Sequence, residues 1–241
     1  DIVLINTGWH RRYSDSQEYF GHAPGLSKKA AQWLVKKKVK LVGVDPACAD
    51  HPLPTSLGPH RNGPQIKYLL PEYKKKTGRE AIADFPEWNA AHKVLLGAAI
   101  PTIENVGADL DKLSGKRCTF QGFPWKWHEG DACVIRLVAI MDPKGSNRLE
   151  SGEMKKPAVR AAKESGKVRL YDLTCDWGHG MPQWPSRANL NVRVVEFHAK
   201  DGLLVQQFEG IMHRGTHMDA PIHVQENQPT LTGYPLWRFF G

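Results

Sequence analysis

The chain has 241 residues, with 41% hydrophobic and 24% charged side chains, enough apolar content for one sizeable core and too much for a disordered polymer. Net charge is +8, yet the lysines sit in separate clusters (36–40, 74–76, 155–156) with no aromatic residues alternating among them. A solvated basic surface is expected, not a nucleic-acid groove, and attraction of an anionic small substrate is compatible with it. The longest apolar runs, such as 95–100 and 134–141, fall well short of the ~20 residues of a membrane helix, and no basic-apolar leader opens the sequence. The four cysteines form no C-x-x-C pair, so reduced thiols in a cytoplasmic protein are expected.

In chain order, DIVLINTG (1–8) reads as a buried strand. Ser27 can cap a helix over roughly 28–38, with Ala30, Ala31, Leu34 and Val35 on one side and lysines on the other. KLVGVD (40–45) is a second buried strand, which completes a βαβ unit, and Asp45 stands at the carboxyl end where open α/β sheets place ligands. Residues 51–87 are rich in Pro and Gly and read as a long excursion containing a short helix, of the kind that forms lids and binding loops. A helix is predicted from about 89 to 97 with His92 on it, then a strand at 101–107 with Glu104 near its end. Segments 117–125 and 133–141 read as further strands, and 143–167, polar and charged, as a linker. A strand resumes at 168–174, and NVRVVEF and LLVQQF form a hairpin around HAKDG.

Chemistry concentrates just beyond that hairpin, in His213-Arg-Gly-Thr-His217-Met-Asp219-Ala-Pro-Ile-His223. A single histidine is usually a surface or hydrogen-bonded core residue, and H-x-x-x-H alone is weak. Three imidazoles and a carboxylate within eleven residues suit an open site for zinc, manganese or iron, and the absence of thiolate among them argues against a closed structural zinc site. Although His213 and His217 could share a helix face, Gly215 and Pro221 favour a turn at a strand end. There Thr216 can fix a neighbour through its hydroxyl, and extended residues 217 and 219 point the same way. No G-x-S-x-G nucleophile elbow is present.

This H-x-G-T-H-x-D-x-P-x-H pattern resembles the signature of the metal-dependent hydrolases of the cyclase family, which includes bacterial kynurenine formamidases, isatin hydrolases and a lactam-opening branch. RLYDLT with GMPQWP, DIVLINTGW, PGLSKKAAQWL, VKLVGVD and AHKVLLGAAIPTIENV are similar to other family segments. The resemblance implies an α/β single domain with a mixed sheet flanked by helices, of the swivelling β/β/α type. It also implies that the halves stand in permuted order: 1–142 is similar to the family's C-terminal half and 168–241 to its N-terminal half, joined through 143–167. On the same ground His213, His217 and Asp219 match a first metal site, Asp219 bridges to a second completed by His92 and Glu104, and His223 matches the acid/base. Trp184, His179 and Trp9 match substrate-pocket positions.

The implied activity is hydrolysis by metal-activated water, with zinc or manganese as cofactor. The long 51–87 excursion and 123–140 resemble the lactam-opening and isatin-hydrolase side, so a small cyclic amide is the expected substrate. Kynurenine formamidase or lactone hydrolysis is the alternative, and a non-catalytic metal-dependent binding module is the reading from another class. Family members assemble as dimers or more, and Trp9, Trp125, Trp127 and Trp237 suit an interface or a pocket.

Overall fold

The computed structural model describes residues 1–61, 63, 66–125, 130–142, 169–201 and 204–241. The expected linker 143–167 and Trp127 lie outside them. Chain order runs β1 (Ile2–Ile5), α1 (Gln17–Gly21), α2 (Lys28–Lys36), β2 (Leu41–Val44), α3 (Ile66–Thr77), α4 (Ala81–Asp84), α5 (Ala90–Gly97) and β3 (Thr102–Glu104). It continues through β4 (Thr119–Gln121), β5 (Ala132–Val134), β6 (Val138–Met141), β7 (Arg169–Asp172), β8 (Asn191–Glu196), α6 (His198–Asp201), β9 (Val205–Glu209) and β10 (His217–Asp219). No described helix is long and apolar enough to cross a membrane.

The architecture is α/β, with a mixed five-stranded sheet ordered β1-β2-β3-β10-β5. β1, β2 and β3 run parallel, and β10 is antiparallel to both its neighbours. The predicted βαβ unit forms as read: Ser27 accepts the Ala30 N–H at 3.2 Å to start α2. Ala31 and Leu34 of that helix pack with Val42, Val44, Ala91 and Leu95, which joins α2, β2 and α5 in one core cluster. A second cluster on the opposite face holds Ile103, Cys133, Leu137, Leu173 and Met218. Strands β4, β6 and β7 make a separate antiparallel sheet, and β8 and β9 a hairpin.

Three expectations change in detail. Residues 133–141, read as one strand, divide: β5 pairs with β10, and β6 pairs with β4 and β7. The alternation of buried and open side chains runs straight through the division, so sequence periodicity does not show it. A change of partner causes it, since Ile135 N–H donates to Thr216 O and Leu137 N–H to Thr174 Oγ1. Only Thr119–Gln121 of 117–125 is strand. The excursion holds a twelve-residue helix, α3, that continues through Pro71, and Leu69 on it buries against Leu53 and Ala81 in a small core of its own.

Candidate metal centre

Register builds the site. On β10, His217 stands opposite Glu104 and Asp219 opposite Thr102 of β3, while Met218 stands opposite Ile103. With a side-chain period of two, His217 and Asp219 share one face and Met218 enters the core on the other. Helix α5 brings His92 to the same face. Its Nε2 lies 3.1 Å from Glu104 Oε1 and 3.5 Å from Asp219 Oδ2. His213 Nδ1 lies 2.9 Å from Asp219 Oδ1.

The turn before β10 is pinned rather than helical. Gly215 takes φ 55°, a left-handed value that suits glycine. Asn105 Nδ2 donates to Gly215 O at 3.0 Å, and Thr216 Oγ1 donates to Asn105 O at 2.7 Å while accepting the Cys175 N–H. Thr216 thus ties the turn to the end of β3 through its hydroxyl. His223 follows on a 3-10 turn, Pro221–His223, and its ring lies against His213 with centroids 3.9 Å apart and planes tilted by 36°.

The ring nitrogens are assigned by their partners. His217 Nδ1 lies 2.9 Å from Gly215 O, an acceptor only, so Nδ1 carries a hydrogen, and in the neutral ring Nε2 is the nitrogen that offers a lone pair. That nitrogen is buried without a well-formed hydrogen bond and faces Asp219 Oδ1 at 3.3 Å and Glu104 Oε2 at 3.7 Å, while His213 Nδ1 stands 2.9 Å from the same Asp219 oxygen. Acceptors that face acceptors in a dry site repel each other unless a proton or a metal cation sits between them. His92 is held similarly: Nδ1 lies 2.7 Å from Asp50 Oδ2, and Asp50 also accepts the Ala91 and His92 N–H groups at the start of α5. A carboxylate behind a ligating imidazole is the usual support of a metal-binding histidine.

Charges follow the same logic. Burial opposes a charge on His92 more than any one group favours it, but Glu104, Cys48, Asp219 and Asp50 together hold the imidazole well above its ordinary value. Burial also opposes charge on His213, yet Asp219 and Asp131 raise it to about 10. Burial would raise Asp219, but His213 and His217 hold it well below the carboxylate range. In the ion-free chain, protons thus do the neutralising that a divalent ion can do. Two ligand-type groups converge here, His213 with His217 and Asp219, and His92 with Glu104 and Cys48. A third, Asp131 with His213 and His223, lies at the rim.

His92, Glu104, His213, His217, Asp219 and His223 all line one cavity of about 550 Å³, with Trp184 in its wall. Ser56 and Arg61 bring the excursion into that wall, beside Trp88. Trp9 sits behind the wall, where its indole N–H donates to Tyr19 O and it packs with Phe20 and Ala47. His179 is exposed, next to Gly180 with φ 79°, and does not line the cavity. Asp45, expected to face a ligand, is fully buried and consumed by the Thr7 N–H and hydroxyl and by His10.

Sequence reasoning passed over Asp50, Cys48 and Asp131. Asp50 and Cys48 sit in ordinary loop sequence, and nothing local ties Asp50 to a helix start 41 residues away. Asp131 Oδ2 lies 2.9 Å from His213 Nε2 and 3.6 Å from His223 Nδ1, and the hydrogen bonds from His213 and then His223 hold it far below the carboxylate range. Burial, then Glu104, pushes the Cys48 thiol up to about 12.

Over 141 residues the chain is 30% identical to the uncharacterized protein MJ0783 of Methanocaldococcus jannaschii, covering 58% of this chain and 54% of that protein. The chain therefore spans about half the length of the curated relative it matches. No solved structure matches it. Residues 1–51 and 171–241, just over half of the chain, match the family described as Putative cyclase. Those two stretches hold strands β1, β2 and β10 and the whole H-x-G-T-H-x-D-x-P-x-H turn, and on that match the chain belongs to the cyclase family.

Proposed function

We propose that the protein is a metal-dependent hydrolase that opens a small cyclic amide. His213, His217 and Asp219 hold one divalent ion, zinc or manganese. Asp219 is shared with a second held by His92 and Glu104, and His223 is the acid/base. The observation that carries this reading is the buried convergence of His213, His217 and Asp219, with His213 Nδ1 2.9 Å and His217 Nε2 3.3 Å from the same oxygen, Asp219 Oδ1. A divalent ion bound there supplies Lewis acidity at a carbonyl and lowers the pKa of water from ~15.7 towards ~7.

The chain's own groups supply the rest. Asp131 beside Nδ1 of His223 leaves Nε2 with no partner among the described residues. Nε2 is therefore the atom that takes a proton from water and returns it to the leaving nitrogen. The His213 ring packed against His223 keeps that imidazole beside the ligand cluster. Phe20, Trp88 and Trp184 offer flat apolar walls for a planar ring, and the cavity volume suits a small molecule. The excursion closes the side of the cavity with Thr55, Ser56 and Arg61.

The test combines metal analysis of purified protein with turnover of a panel of lactams, isatin, lactones and N-formylkynurenine. Metal-dependent opening of a lactam or isatin, faster than the other substrates, is the expected result. N-Formylkynurenine turned over far faster would make the protein a kynurenine formamidase. Metal-dependent ligand binding with no turnover of any member would make it a binding module.

A further inference from the structure

The second ion of the proposed pair has two assigned ligands of its own, His92 and Glu104, and a share of Asp219. A fourth donor stands beside them. Cys48 lines the cavity four residues past the end of β2, and its Sγ, a ring nitrogen of His92 and a carboxylate oxygen of Glu104 all lie within 4.8 Å of one another. The neighbouring Ala49 N–H donates to Glu104 Oε1 at 2.6 Å, so the backbone that carries Cys48 is tied to the same carboxylate.

We infer that Cys48 is a thiolate ligand of that second ion, so that Cys48, His92, Glu104 and Asp219 close the centre with four protein donors. This rests on the hydrolase reading above and extends it, because the two ions then have different duties. Zinc bonds of about 2.0–2.1 Å to nitrogen and oxygen place tetrahedral ligands about 3.3 Å apart, and a bond of about 2.3 Å to sulfur widens the edge to about 3.6 Å. The His92–Glu104 and His92–Asp219 separations of 3.1 and 3.5 Å already bracket the first value.

A centre with four protein donors has no position for water or substrate, as in structural zinc sites. Its work is to fix Asp219 and drain charge from it. His213, His217 and Asp219 would give the first ion three protein donors, and all three line the cavity with His223. Thiolate is a soft ligand that favours zinc over manganese, so the closed centre selects zinc where the open one accepts either. The thiol passes its proton to solvent as the sulfur–metal bond forms. Cys118, Cys133 and Cys175 lie in or against the core and belong to none of the described ligand groups.

The experiment is a cobalt(II) titration of the chelator-stripped full chain, followed by near-ultraviolet and visible absorption. Two equivalents should bind, one of them bringing a sulfur-to-cobalt charge-transfer band. Cys48→Ser should lose that band and bind the second equivalent about 10–100-fold more weakly, with the visible bands of the first kept. Cys118→Ser should change neither. Two equivalents without a charge-transfer band in the unmodified protein would overturn the thiolate assignment and leave the hydrolase reading standing. One equivalent without the band would overturn it as well. No cobalt bound at all would overturn both. The decisive spectrum is that of the unmodified chain, so a Cys48→Ser protein that failed to fold would not remove the test.

Discussion

His217 and His223 differ in what their second nitrogen does. In His217 the Gly215 carbonyl takes the Nδ1 hydrogen and in His223 Asp131 stands by Nδ1, and on the proposed reading Nε2 of the first serves an ion and Nε2 of the second a proton. His217→Ala is therefore expected to lose both metal and turnover. His223→Ala should keep its metal content, while its turnover falls by about 10²–10⁴. Metal analysis beside a turnover assay separates the two, and near-full hydrolysis by His223→Ala would remove its acid/base role. Asp50→Asn keeps the shape behind His92 but weakens the support of Nδ1, and a drop in metal affinity of about 10–100-fold is expected by competition with a chelator. A pH dependence follows from His213, raised from 6.5 to about 10 against its burial by Asp219 and Asp131. A base raised in the folded state stabilises the ion-free chain fully below about 6.5, and that contribution is lost as pH climbs through about 10. The ion-free protein should melt at lower temperature across this window. Metal affinity should rise across it, because ligation needs the imidazole without its extra proton. Melting curves with and without chelator would show the opposite slopes.

Among the elements, β10 is short, yet it carries the site because both its neighbours are strands. A slip of one residue would turn Met218 into the cavity and send His217 and Asp219 into the core. Helix α5 holds His92 by burying Ala91 and Leu95 against α2 and β2. Leu95→Ala should cost about 2–5 kcal/mol in denaturant unfolding, from lost burial and the cavity left behind. In the excursion, Gly58 packs so closely that an added Cβ would stand 1.9 Å from Leu53 O. Gly58→Ala must displace backbone, and this displacement would reach the wall formed by Thr55, Ser56 and Arg61. KM is expected to rise more than kcat falls, with about 1–3 kcal/mol lost in stability.

At the scale of the whole molecule, residues far apart in sequence share one anchor. Lys40 N–H donates to Asp1 O at 2.9 Å, and Lys40 Nζ reaches Phe240 O at 3.1 Å, with Gly241 pairing to Phe120 beside them. Residues 1 and 241 therefore lie near each other at one edge of the sheet. A chain rebuilt as 168–241, a short flexible linker, then 1–142 should fold to the same sheet and bind the same metal. Comparable circular dichroism and metal stoichiometry would bear this out. A rebuilt chain that folds but binds no ion would show that the present connectivity matters to the site.

The sequence alone determined what is local: the Ser27-capped helix, the buried parallel strands, and a turn whose imidazoles and carboxylate sit at fixed spacings. Their alternation on one short strand follows from the period of the backbone itself. His92 and Glu104 were legible only through the family resemblance, since one histidine on a helix and one acid at a strand end carry no signal of their own. Tertiary structure decided the rest. It set β10 against β3 so that His217 meets Glu104, split 133–141 between two sheets, turned Asp45 inward to Thr7 and His10, and brought Asp50, Cys48 and Asp131 to the site. These are contacts between distant segments, set by packing and hydrogen-bond satisfaction in the folded core, which local pattern does not encode.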